Sequence, residues 1–391
     1  MKNKNPDYSK RTLFIVGSIS LLFALYMTSL IILSLETPNQ VIEDVSYDLN
    51  ESDIVSIVSQ IEENSRDINV DVEVSENEII EIEHGWIIND YGYTYVYGDR
   101  GFQQFNYKQS ALQRYVDCIN ALSGTIPQTS NFLNLIVPIS TTFADIPREI
   151  YKEDNFFNLS QSSFVATVER QFDERVSNIN IVNKIETAYD SGEYVYFRTD
   201  SNWTSLGAYN GYLSFCEAKN IEPKPLDAFK KNELGDFLGG FYRSTSSVSM
   251  YNNPDDFICY STESDVATKM TVYDNDMVFV DYNLCENGVG IEGKYNVYLG
   301  RDAGRYSIST NSEGGSILII GDSSVAPLLP FIASHYKEIE FINPQKYNKS
   351  LSDFLSKQEF DDIITICYSS NAISGEYIPS LINFTGVKDN E

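Results

Sequence analysis

Apolar positions along this chain fall into three patterns. From Leu13 to Leu35 (LFIVGSISLLFALYMTSLIILSL) no residue is charged, and Leu, Ile, Val, Phe and Ala dominate. About 20 apolar residues, rising about 1.5 Å each in a helix, cross a bilayer core. Residues 37–83 mix acids with isolated Ile and Val, with Arg66 nearly the sole positive charge, the pattern of a solvated spacer. Beyond that point short apolar runs alternate with segments of helical periodicity.

The alternating part begins with GWIINDYGYTYVYG, where β-type residues flank turn residues and predict a hairpin. KQSALQRYVDCINALSG has apolar residues at helical spacing and ends in Gly124. FLNLIVPIS, closed by Pro138, reads as a strand buried on both faces. SSFVATVERQFDERV then predicts a helix, INIVNKI a strand, YVYFRTD a strand ending at Asp200, and LGAYNGYLSFCEAKNI a helix. Residues 232–300 are rich in Asn, Asp and Tyr and predict irregular strands and loops. GGSILIIGDSSVAPLLPFIASHY returns to strand, turn and helix, and EIEFINP and FDDIITICY read as buried strands around the helix SLSDFLSKQEF. Strands alternating with helices imply an α/β fold with a mostly parallel sheet covered on both faces.

Charge orients the first pattern. Lys2, Lys4, Lys10 and Arg11 precede the apolar run against one acid, Asp7, whereas Glu36, Glu43, Asp44 and Asp48 follow it. The Lys/Arg bias puts residues 1–12 in the cytoplasm, 13–35 across the membrane and everything beyond outside. A cleaved signal is the rival, but the run is long for one and SLETPNQ offers no A-x-A-like site. The expected organisation is a tail (1–12), a transmembrane helix (13–35), an acidic extracytoplasmic spacer (36–84) and a folded domain (85–391). The net charge of −28 argues against a nucleic-acid partner, because few cations could neutralise phosphates. With 27 Tyr and 22 Phe the chain has apolar mass for a packed core. Cys118, Cys216, Cys259, Cys285 and Cys367 are scattered without a C-x-x-C pair, so neither a disulfide framework nor a zinc site is read, and no metal or cofactor is expected.

Two segments could carry chemistry. In ILIIGDSS a buried strand runs into Gly321-Asp322-Ser323 ahead of a helix, where a serine hydroxyl is exposed and helix N–H groups can steady an oxyanion. Ser or Asp there also serves simply as an N-cap. The second is YVYFRTDSNWTSLGAYNGY (194–212).

Together these segments resemble the DHHW-motif family, related to the alginate O-acetylation proteins of the SGNH-hydrolase-like superfamily. Tyr196, Phe197, Arg198, Thr199, Asp200, Trp203, Thr204, Gly207, Ala208 and Tyr209 match its Y-F-R-T-D-H-H-W-T-x-x-G-A-Y pattern in order. IVPIS resembles its first core strand, DFLGGFYRS its F-x-G-x-x-Y segment, YLGRDAG its F-L-G-G-N loop, and residues 321–344 its serine unit. The resemblance implies a three-layer SGNH-hydrolase-like domain in which Ser323 is the nucleophile and Asp200 the orienting acid. The base position is Asn202, and the preceding family histidine is Ser201. An amide cannot take up a proton at neutral pH, so activation of the serine fails at that point. Asp302 falls about where the loop asparagine of the family would lie, and a carboxylate there repels an oxyanion. Asp322, Trp203, Arg198 and Asp302 are candidate cleft-lining residues, although Trp203 equally suits a core position. Of the two histidines, His335 would lie roughly 18 Å along a helix from Ser323, and His84 sits at the spacer junction.

Three functions follow from the resemblance. One is a catalytically impaired accessory or binding protein of cell-surface polysaccharide O-acylation, partnered by the bilayer, a membrane-bound O-acyltransferase and the polysaccharide. Another is an active serine O-acetylesterase or O-acetyltransferase on such a polysaccharide. The third is a surface scaffold with no glycan role.

Overall fold

A computed structural model describes residues 83–89, 92–263, 266, 268–274, 277–282, 284–285 and 291–387, all within a compact unit spanning Asn77–Glu391. The span 13–35 and the spacer to residue 82 lie outside the described residues. Among the described residues no helix is long and apolar enough to cross a membrane.

The chain opens with β1 (His84–Asn89), β2 (Gly92–Tyr97) and β3 (Arg100–Phe102), an antiparallel sheet that begins with the expected hairpin. Helix α1 (Gln109–Thr125) buries Leu112, Tyr115, Val116, Ile119 and Leu122, spaced by three or four residues. Next come β4 (Asn131–Val137), α2 (Gln161–Glu169), β5 (Val176–Ile179), α3 (Val182–Asp190) and α4 (Ser205–Lys219). Residues 182–185, predicted as part of a strand, begin α3 instead. Val182, Ile185 and Ala188 make one buried helical stripe there, and the strand is confined to Val176–Ile179.

β6 (Phe229–Phe237) pairs with β7 (Asp255–Glu263). β8 (Thr268–Asp274) and β9 (Met277–Tyr282) join the edge of the main sheet, so the strands expected within residues 232–300 are present and pair into that edge. β10 (Arg305–Thr310), β11 (Ser316–Gly321), β12 (Glu338–Ile342) and β13 (Asp362–Tyr368) complete the eight-stranded sheet, in the order β5-β4-β13-β11-β12-β10-β8-β9. The strands from β5 to β12 are mutually parallel, and the β10, β8 and β9 pairings are antiparallel. Every residue of β13, and all but the first of β11, is buried, so both sheet faces are covered. This is the mixed α/β, mostly parallel architecture that the alternation of strands and helices implies. Helix α5 (Tyr377–Thr385) packs on α1, which also packs on α2, while α3 and α4 pack together beside the turn after β11.

From β11 the chain crosses to β12 on one side and then to β13 on the other. The strand order therefore reverses at β11, and a crevice outside the carboxyl ends of β11 and β13 is the expected consequence. Ser323 follows β11 directly.

Candidate active site

Ser323 is exposed, while its neighbours Asp322 and Ser324 are buried. Asp322 is the N-cap: its Oδ1 accepts from Ser324 N at 2.9 Å and Ser324 Oγ at 2.5 Å. Its Oδ2 accepts from Tyr368 N at 2.8 Å and Asn371 Nδ2 at 2.6 Å, both at the carboxyl end of β13. Burial raises the Asp322 carboxyl above the ordinary carboxylate range, against the pull of these donors. Asp322 thus fixes the turn and does not line a cleft. The helix it caps is short: 3₁₀ over Ser323–Leu328, then α only over Leu329–Ile332, with Pro327 and Pro330 each removing a donor.

The second strand predicted at the site does not exist as a strand. Residues 194–204 form a folded-back segment with one isolated bridge, Tyr196 to Trp203. Phe197 N donates to Asn202 O at 3.3 Å and Thr204 N to Val195 O at 3.0 Å, closing the fold-back. Asp255 satisfies the next backbone donors, accepting from Arg198 N and Thr199 N at 2.9 Å each and from Thr199 Oγ1 at 2.6 Å. Thr204 caps α4 by accepting from Gly207 N at 3.2 Å.

This segment brings Asp200 and Asn202 to Ser323. Asp200 is buried; its Oδ1 accepts from Asn202 N at 2.9 Å and Asn202 Nδ2 at 2.5 Å. Its Oδ2 accepts from Gly240 N at 2.6 Å. The Ser323 hydroxyl donates to Asn202 Oδ1 at 3.2 Å. Serine, amide and carboxylate thus form one hydrogen-bonded chain, with the amide bonded on both sides as a triad imidazole would be. Tyr295 holds the serine backbone, its hydroxyl donating to Ser323 O at 3.1 Å.

The other candidates serve as supports. Trp203 is fully buried, so it does not line a cleft; it is a core residue. Its Nε1 donates to Ser324 O at 3.0 Å and its backbone N to Tyr368 OH at 3.0 Å, pinning the fold-back to the serine turn. Arg198 is a strut: it pairs with Asp99 at 2.5 Å and Asp255 at 3.4 Å and donates to Pro254 O at 2.9 Å. Asp302 is exposed and ion-paired with Lys346. Neither histidine bonds to Ser323. His84 Nδ1 lies 2.7 Å from Asp154 Oδ2, and His335, past the end of its helix, has Nε2 2.6 Å from Tyr212 OH.

Asp255, Gly240 and Tyr295 were not legible as site residues. All three belong to the region that reads as irregular, and backbone acceptors and donors carry no signature in sequence. Gly239 is the exception in kind: a Cβ there would lie 2.2 Å from Asp200 Cβ, so the glycine within DFLGGFYRS is a steric requirement of the carboxylate.

The sequence pattern of the DHHW proteins matches residues 37–342. This chain belongs to the DHHW family. Within it, the name-giving tetrad reads Asp200-Ser201-Asn202-Trp203. Among solved structures, a DHHW family protein from Eubacterium siraeum is similar at 21% identity and TM-score 0.66, over 77% of this chain and 97% of that one. Bacillus cereus PatB1, in a structure with a sulfonyl adduct, is similar at 16% identity and TM-score 0.59, over 78% and 99%. The O-acetyltransferase domain of Pseudomonas putida AlgJ aligns at 13% identity and TM-score 0.41, over 77% and 99%. No curated protein matches the chain.

Proposed function

We propose that this DHHW protein is an accessory or glycan-binding component of cell-surface polysaccharide O-acylation, impaired as an enzyme and held at the membrane by residues 13–35. The observation that carries this reading is the hydrogen bond from Ser323 to Asn202 Oδ1. Asn202 reproduces both contacts of a triad imidazole but cannot store the serine proton. Without a base, a serine centre loses roughly six orders of magnitude in rate. Its working partners on this reading are the polysaccharide and a membrane-bound O-acyltransferase.

One set of variants tests it. The full chain should hydrolyse an activated acetyl ester no faster than Ser323→Ala. Asn202→His should gain turnover that Ser323→Ala removes, because the histidine would enter an existing contact with Asp200 and Ser323. Wild-type turnover lost on Ser323→Ala would establish the second reading, an active serine esterase or transferase, which the exposure of Ser323 and the intact chain to Asp200 favour. For the topology, a protease added to intact cells should remove residues 85–391; full protection overturns the anchored, outward-facing arrangement.

A further inference from the structure

A cavity of about 330 Å³ opens beyond the carboxyl end of β4, bounded by the segment after that strand, residues 151–162 and α3. β4 and β11 flank β13, so two strand spacings, roughly 10 Å, separate their ends. Polar contacts span the interval: Asn371 bonds Asp322, and the Ser369 hydroxyl donates to Gln161 Oε1 at 2.5 Å. Gln161 Oε1 also accepts from Ile139 N at 2.8 Å, which fixes its side chain in the cavity wall.

Two polar atoms of this wall, Thr142 Oγ1 and Asn158 Nδ2, are shielded from bulk solvent and complete no hydrogen bond among the described residues. Asn158 Oδ1 is already used by Phe105 N at 2.8 Å, so the orientation of its amide is set. Nδ2 faces the Tyr151 hydroxyl without the geometry of a hydrogen bond. Buried groups of this kind are rare, because each costs about 1–3 kcal/mol when unpaired. Tyr151, stacked on Phe156 with centroids 5.4 Å apart, and Leu159 supply an apolar side. Among the described lining residues there is no lysine, arginine or histidine, and one carboxylate, Glu186, stands exposed at the edge. A wall that is part apolar, part hydroxyl and amide, without a cation, suits an uncharged, hydroxyl-rich ligand and disfavours an anion.

We propose that this cavity is a glycan subsite holding one uncharged sugar ring of a chain that reaches toward the carboxyl end of β11. That the ligand is a glycan rests on the polysaccharide reading above; its lack of charge rests on the cavity alone. The test is titration of the full chain with cellotetraose, chitotetraose and a uronic-acid tetramer, followed by calorimetry. A neutral tetramer should bind at millimolar concentration and the uronate should not. Thr142→Val keeps the shape and removes the hydroxyl, and should weaken binding about two- to tenfold. Asn158→Asp keeps the acceptor for Phe105 N, removes the donor and should weaken binding as well, so a folding defect in one variant leaves the other decisive. Binding of the uronate alone, of no tetramer, or of a neutral tetramer insensitive to both variants overturns the subsite. The readout is binding, so its failure leaves the ester-turnover result for Asn202→His standing, and the reverse holds too.

Discussion

Asp255 is wholly buried and accepts from Arg198 N, Thr199 N and Thr199 Oγ1 while pairing with the Arg198 guanidinium. Each donor lies in the two residues before Asp200, so this one carboxylate sets where the site acid stands. Asp255→Ala strands several buried donors at once and should cost about 3–5 kcal/mol, read as a lowered denaturant midpoint with unchanged slope. A loss below about 1 kcal/mol would show that water replaces the carboxylate. Asn202 works at the same scale with the opposite consequence: it is bonded on both sides, so it stabilises the turn while denying Ser323 a proton acceptor. The structural part of a triad is thus separable from its chemical part at a single side chain.

At the scale of elements, the serine turn and the 194–204 fold-back are joined through Trp203. Its indole N–H reaches Ser324 O, and Gly211 on α4 makes room for the ring, since a Cβ there would lie 2.9 Å from it. Trp203→Phe should lose about 2–4 kcal/mol, combining an unpaired carbonyl with a cavity. It should also loosen Ser323, visible as faster amide exchange across residues 322–325. Normal exchange there despite lost stability would mean that Asp322 alone positions the serine. The hydrophobic pattern located β4, β11, β12, β13, α1 and α4, because long runs with one period dominate local choice. It missed α3, whose stripe abuts Val176–Ile179, and it made a strand of YVYFRTD. Aromatic and β-branched residues favour pleated, half-buried surroundings in general, and here a buried aspartate supplies the partners that a neighbouring strand would have given.

For the whole molecule, the antiparallel sheet β1–β3 is tied down by Asp154, which accepts from Tyr95 OH at 2.7 Å and contacts His84. The Tyr95 hydroxyl first, and His84 after it, hold the Asp154 carboxyl below its ordinary value of 3.8 against desolvation. A depressed folded-state value means that the unfolded chain binds the proton more readily, so this contribution is complete above the ordinary value and is lost as pH falls below it. Thermal unfolding should therefore show a shallower acid-side decline for Asp154→Asn than for the parent chain. Identical declines would show that the acid sensitivity arises elsewhere.

The sequence by itself determined the alternation of strand and helix, the expectation of an anchored acidic chain, and the presence of an amide, Asn202, where the family resemblance implies a base. Each of these is written in local period, local charge or residue identity. Only the tertiary structure decided that Ser323, Asn202 and Asp200 meet, that Trp203 and Asp322 are supports buried beneath the site, and that Asp255 and Gly239 shape it. Those facts depend on groups from about forty to more than a hundred positions apart, and no periodicity along the chain encodes which distant partner will arrive. The reversal of strand order at β11 makes the difference physical: the carboxyl ends of β11 and β13 lie side by side, and both halves of the site are delivered there.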